Sequence, residues 1–130
     1  CKKIMTIKDN LQYTENHEWI LIEGDVATIG ITDYAQGELG DIVYVDIDAL
    51  GRDLNIDDVF GSVEAVKTVS ELFMPVAGNL IELNSKLESN PELLNQDPYQ
   101  EGWIIKVKLN NADQNNKLLS SDQYKNLIGA

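Results

Sequence analysis

Two β-compatible runs meet at one lysine within Gly61-Ser62-Val63-Glu64-Ala65-Val66-Lys67-Thr68-Val69-Ser70-Glu71-Leu72-Phe73-Met74-Pro75-Val76-Ala77-Gly78. Val63, Val66, Val69, Leu72 and Val76 are apolar residues that favour packing on a pleated surface, and Pro75 and Gly78 close the second run. The pattern predicts a hairpin with Lys67 at its tip. Lys67 is also the only basic residue between Arg52 and Lys86. A solitary amine there suits covalent attachment of a prosthetic arm, because solvent reaches it while a rigid sheet holds its base still. The plain alternative is an exposed turn lysine with no further role.

Periodicity elsewhere describes a mostly β domain with short helices. Trp19-Ile20-Leu21-Ile22 and Val26-Ala27-Thr28-Ile29-Gly30-Ile31 flank Glu23-Gly24-Asp25, which reads as a tight hairpin. Thr32 is placed to cap a helix over Asp33 to Glu38, which Gly40 ends. Val43, Val45 and Ile47 alternate with Tyr44 and Asp46 as a half-buried strand does. Asn90 before Pro91 predicts a helix start carrying Glu92, Leu93 and Leu94. Trp103, Ile105, Val107 and Leu109 alternate with Ile104, Lys106 and Lys108 as another one-sided strand. Asn110 to Lys117 is a polar connector. Ser120 to Gln123 has capping-box spacing, followed by a helical stripe of Tyr124, Leu127 and Ile128. One core is expected to join Trp19 with the Val43 and Val107 faces. A strand with a glycine turn recurs on either side of Lys67, compatible with a flattened, quasi-symmetric β-barrel. Periodicity alone leaves another small β-sandwich open.

At 130 residues the chain is expected to be one domain, residues 1–130, burying roughly two-thirds of its unfolded surface. No apolar run approaches the ~20 residues of a membrane span, and the start Cys1-Lys2-Lys3-Ile4 lacks the apolar core of a secretory signal. One cysteine allows no internal disulfide, consistent with a reducing compartment. A cytoplasmic protein is expected, or a mitochondrial-matrix protein if the source is eukaryotic. Twenty-two acidic residues against ten basic ones give a net charge of −12, which excludes nucleic acid as a partner because phosphate binding needs clustered cations. The same charge keeps the chain soluble and would steer it to basic mouths on partner enzymes.

Catalytic constellations are missing from the sequence. Cys1 and His17 are the only thiol and imidazole, too few for a multi-ligand Cys/His zinc cluster. No strained nucleophile turn, Walker lysine motif or dinucleotide glycine fingerprint occurs. Asp46, Asp48, Asp53, Asp57 and Asp58 lack the glycine and terminal glutamate of a calcium loop and read as a solvated stretch. Glu64 and Glu71 flank an exposed turn rather than a concave site, so they read as recognition residues instead of paired catalytic acids.

Glu64 to Glu71, followed by Met74-Pro75-Val76-Ala77-Gly78 and Ile81-Glu82-Leu83-Asn84, closely resembles the lipoyl-lysine segment of glycine cleavage system H proteins. His17-Glu18-Trp19 resembles the family's N-terminal signature and Ala27-Thr28-Ile29-Gly30-Ile31-Thr32-Asp33-Tyr34-Ala35-Gln36 its next block. Leu39-Gly40-Asp41-Ile42-Val43-Tyr44-Val45 and Asp97-Pro98-Tyr99-Gln100-Glu101-Gly102-Trp103 follow in the family's order. Together the blocks cover the chain from about Leu11 to Leu109.

The resemblance implies a flattened β-barrel/sandwich hybrid of the lipoyl/biotinyl type with a C-terminal helix, and a carrier rather than an enzyme. It implies lipoate in amide linkage on Lys67, attached by a lipoylating enzyme. The implied partners are a pyridoxal-phosphate glycine decarboxylase, a tetrahydrofolate-dependent aminomethyltransferase and dihydrolipoamide dehydrogenase. A tethered arm meets each active site at high effective concentration, and a monomer suffices. The resemblance further implies a cleft that shelters the loaded arm, lined by positions matching Asn16, Glu18, Glu38 and Glu71, with carboxylates to hold an amine. Some relatives place His where this chain has Glu38, which leaves Glu38 either holding that amine or facing solvent.

Three rival readings need weighing: a lipoyl or biotinyl domain of a larger enzyme, an H-like lipoyl relay, and an unmodified β-barrel interaction module that carries nothing. Biotin domains usually carry Met on both sides of the lysine, where Val66 and Thr68 stand here. Lipoyl domains of 2-oxo acid dehydrogenases usually read Asp-Lys-Ala and lack counterparts of the Trp103 strand and the last helix. An H-like protein relaying lipoate to other acceptors would use the same lysine, so the sequence leaves that reading open.

Overall fold

The computed structural model describes residues 11–109 and 118–129; the Cys1 start and the 110–117 connector lie outside them. β2 (Glu18–Glu23) and β3 (Val26–Ile31) pair from Glu18↔Ile31 to Glu23↔Val26. Only Gly24 and Asp25 are left in the loop, and Gly24 supplies the positive φ, 66°, that so short a hairpin turn needs. β1 (Gln12–Tyr13), too short to show alternation, adds to the outside of β2.

Chain order then gives β4 (Ile42–Ile47), β5 (Asp53–Leu54), β6 (Val59–Ala65), β7 (Val69–Phe73), β8 (Gly78–Leu83) and β9 (Ile105–Leu109). These strands build a six-stranded sheet, β1-β2-β3-β9-β8-β5, and a three-stranded sheet, β4-β6-β7. All pairings are antiparallel and neither sheet closes on itself. The expected mostly β, sandwich-like fold with short helices and a C-terminal helix takes this form.

The inner faces of the two sheets share one core. Ile20, Ile29 and Val107 of the larger sheet and Val45, Phe60, Val63 and Leu72 of the smaller are buried in a single cluster, each contributing about 1.5–3 kcal/mol by leaving water. A second cluster of Leu11, Tyr13, Trp19 and Tyr124 lies under α4 (Ser121–Ile128). Trp19 is thus outside the main core, and its Nε1 donates to the Pro98 carbonyl at 2.8 Å.

Val43 also departs from expectation, being 47% exposed. The register of β4 against β6 shifts between Ile42 and Tyr44. That bulge turns Ile42 and Val45 inward and leaves both Val43 and Tyr44 outside. A second shift falls between Val59 and Gly61. There a Cβ on Gly61 would collide with the Asp46 carbonyl oxygen of the paired strand. Backbone cannot yield cheaply, so Gly61→Ala is expected to cost about 2 kcal/mol or more of stability. Urea unfolding checks this, and an unchanged midpoint would show that β4 gives way.

Helix ends follow their sequence signals in two cases out of three. In α1 (Asp33–Leu39) the Thr32 hydroxyl accepts from Ala35 N at 3.1 Å, and Gly40 ends the helix. α4 begins with the full Ser120–Gln123 capping box. Asn90, however, ends the unforeseen α2 (Lys86–Ser89), and α3 covers Leu93–Gln96, beginning after Pro91 rather than at it. The intervening residues close only short turns, Leu93 N to Asn90 O and Leu94 N to Pro91 O. No helix among the described residues is long and apolar enough to cross a membrane.

Candidate functional site

The hairpin of β6 and β7 narrows to a turn where Ala65 N donates to Thr68 O at 2.8 Å. Val66 and Lys67 lie between these residues, and neither takes a positive φ, so the turn holds ordinary side chains without strain. Lys67 is exposed and forms no salt bridge or hydrogen bond with another described residue. Beneath its stem lies Gly40, where an added Cβ would stand 3.6 Å from Lys67 Cε. The Gly40 backbone, φ 82° and ψ −156°, occupies a region essentially reserved for glycine. Gly40 therefore sets no side chain of its own against the lysine stem.

The turn is anchored from outside its own hairpin. Val66 N donates to the Asp41 carbonyl at 3.1 Å. On either side of Asp41, Asn95 of α3 accepts from Ile42 N at 2.9 Å and donates to Gly40 O at 2.8 Å and to Gln36 Oε1 at 3.0 Å. Sequence reasoning missed Asn95. It is 28 positions from the lysine by number, and its contacts depend on tertiary folding, so no local pattern marks it.

Glu64 and Glu71 are exposed on the small sheet, whose strands carry no lysine or arginine. Val66 and Val69, expected to pack, are instead 76% and 61% exposed. β-propensity makes them strand-like but does not say which face is covered, and they flank the tip in solvent. β7 is a border strand of this sheet.

At the far end of β7 from Lys67 lies a cavity of about 430 Å³, lined by Asn16, Glu18 and Asp57 with Ile56, Met74 and Pro75 among its walls. The Glu18 side chain is almost wholly buried. Its Oε2 accepts from Phe73 N at 3.0 Å and its Oε1 from the Thr14 hydroxyl at 3.3 Å, tying β7 to the turn before β2. Burial pushes its carboxyl up to about 8, Asp57 adds to this, and the two hydrogen bonds oppose it. Burial thus favours the neutral form of Glu18. The fold thus brings Asn16 and Glu18 together, whereas Glu38, exposed near the end of α1, and Glu71 do not line this cavity.

His17 has a structural place. Its Nδ1 meets Tyr124 Oη at 2.9 Å, and that hydroxyl meets Thr32 Oγ1 at 2.7 Å, so the ring joins α4 to the cap of α1. Burial lowers its pKa, with Glu38 opposing. Among the described residues, no group of three or more His, Cys, Asp or Glu is placed to hold a metal ion.

Comparison with known proteins bears on this geometry. The glycine cleavage H-protein family profile matches residues 11–130. The glycine cleavage system H protein of Bacteroides fragilis is 55% identical over 126 residues, 97% of this chain and 100% of that one. That of Staphylococcus carnosus is 53% identical over 125 residues, 96% of this chain and 99% of its own. A crystal structure of a glycine cleavage system H protein from Mycobacterium marinum superposes with a TM-score of 0.86 at 33% identity, covering 95% of this chain and 100% of that one. Profile, full-length relatives and superposition agree, and the chain belongs to the glycine cleavage H-protein family.

Proposed function

We propose that this chain is the lipoyl-bearing carrier of glycine cleavage, with lipoate in amide linkage on Lys67. The observation that carries the reading is an exposed lysine, unpaired among the described residues, at the tip of an anchored hairpin, above a glycine, in a chain of this family. On Lys67, lipoate would supply a dithiolane for carrying an aminomethyl group from a pyridoxal-phosphate glycine decarboxylase to a tetrahydrofolate-dependent aminomethyltransferase, and electrons to dihydrolipoamide dehydrogenase.

The chain's own residues supply the mounting. For attachment, the deprotonated Lys67 Nζ attacks the carbonyl of an activated lipoyl donor held by the lipoylating enzyme. The amide N–C bond replaces the bond to the leaving group, and the proton departs. An enzyme that takes up Nζ must also cover Val66 and Val69, which favours an apolar lip on that enzyme. Glu64 and Glu71, with no basic neighbour on their sheet, favour a basic rim beyond it. Asn16 and Glu18 are the residues best placed to shelter a loaded arm, while Glu38 and Glu71 would meet it only outside the cavity. No side chain of this site is assigned a catalytic step, since the chemistry occurs within the partner enzymes. A monomer in a bacterial cytoplasm completes the reading, with no nucleic acid or membrane as partner.

Lipoylated chain mixed with glycine and glycine decarboxylase is expected to gain one aminomethyl group by intact mass. A lipoylated chain that stayed unloaded, yet donated lipoate to another acceptor protein, would make it a relay instead.

A further inference from the structure

We infer that Asn95 is a positioning residue for the acylation of Lys67, holding from α3 the segment on which the lysine turn hangs. The inference rests on the reading of Lys67 given above. Asn95 touches neither the lysine amine nor any group it reacts with. Its effect passes through residues 40–42.

Three hydrogen bonds fix the Asn95 amide. Ile42 N can only donate and Gly40 O can only accept, so one orientation of the amide satisfies both, with Oδ1 on Ile42 at 2.9 Å and Nδ2 on Gly40 at 2.8 Å. The second Nδ2 hydrogen reaches Gln36 Oε1 at 3.0 Å. Gln36 is itself held, its Nε2 donating to Asp33 Oδ1 at 2.6 Å. The side chain therefore grips both peptide groups that flank Asp41. The Asp41 carbonyl, gripped on both sides, accepts from Val66 N at 3.1 Å. Ile42 also pairs with Ala65, the last residue of β6.

Gly40 adds a second consequence. It lies under the lysine stem, and its backbone is in a conformation glycine reaches without resistance and leaves as easily. Freed from Asn95, the 40–42 segment would lose the restraint that compensates for this freedom. The turn at Val66 would then sample positions that carry Lys67 away from an enzyme-bound acyl donor. Acyl transfer tolerates little such motion, since a misplacement of about 1 Å can slow a reaction about a hundredfold.

The test uses the full chain carrying Asn95→Asp or Asn95→Ala. Aspartate has the same shape and keeps the bond from Ile42, but sets oxygen against the oxygens of Gly40 and Gln36. Asn79→Ala is the control, because the Asn79 amide likewise bridges two oxygens, Gly51 O and Asp53 Oδ1, away from the hairpin. Amide exchange by NMR, lipoylation kinetics at Lys67, and acetylation of Lys67 by a small water-soluble reagent are the three measurements. In both Asn95 variants the Val66 amide is expected to exchange about tenfold faster, with the Ile105 amide unchanged. Lipoylation kcat is expected to fall about tenfold, with KM within about twofold of wild type. Reagent acetylation should match wild type because the amine itself is untouched, and Asn79→Ala should match it throughout. Wild-type exchange and kcat in the Asn95 variants would overturn the inference. So would loss of Ile105 protection in step with kcat, or failure of both variants to fold, either of which makes Asn95 a residue of general stability. A wild type not lipoylated at Lys67 removes the functional reading and this inference together; a lipoylated wild type with unaffected Asn95 variants removes only the inference.

Discussion

Lys67→Arg is expected to abolish lipoylation completely while leaving the fold as it was. Arginine keeps the positive charge and the long stem but offers no amine that can be acylated near neutral pH. Lys67 is exposed and bonded to no other described residue, so the change should alter unfolding free energy by no more than about 0.5 kcal/mol. Wild-type protein treated with a lipoylating enzyme should gain one lipoyl group, and peptide mapping should place it on Lys67. The variant should gain none. Lys86 is the next lysine along the chain and is paired with Glu101 at 2.8 Å. Modification there, or any modification surviving in the variant, would contradict the assignment.

The second large effect concerns Glu18. Its carboxyl is raised from an ordinary 4.5 to about 8 in the folded chain, so between those values the native state holds a proton that the unfolded state has released. Stability contributed by this group is therefore full below about pH 4.5, declines as pH rises and is gone above about pH 8. The loss across the window is on the order of a few kcal/mol. Glu18→Gln removes the proton from the comparison, since a glutamine oxygen still accepts from Phe73 N and no charge forms inside. Urea unfolding from pH 5 to 8 should show a declining wild type and a flatter variant. Parallel curves would mean that the buried carboxyl relaxes or hydrates and titrates normally. The same neutrality bears on the cavity. An ammonium ion brought against Glu18 favours the carboxylate, so its arrival near pH 7 should release a proton, a response the glutamine variant cannot give.

Much of the hairpin was legible because its signals are local. The strands of β6 and β7, the Thr32 cap and the Ser120–Gln123 capping box each depend on residues within a few positions of one another. What escaped depends on insertion or on distance. Val43 reads as inward by strict alternation, and only the pairing with β6 reveals the extra residue that turns it out. Glu18 reads as an accessible acid, yet it is buried and accepts from Phe73 N, 55 positions away. Asn95 gives no signal at all, because its three partners are brought to it by α1 and β4.

The border position of β7, with valines exposed beside the tip, also bears on how copies of the chain behave in concentrated solution. At its far end this edge is taken up by the bond from Phe73 N to Glu18, but near the tip a border strand with apolar side chains is a template on which a second copy can pair. Here the neighbouring acids and a net charge of −12 keep copies apart. High salt or acid removes that repulsion without covering the edge, so self-association should begin at the hairpin under those conditions. Acylation of Lys67 would remove its charge from the tip, and the acylated chain should resist clumping better than its unmodified precursor.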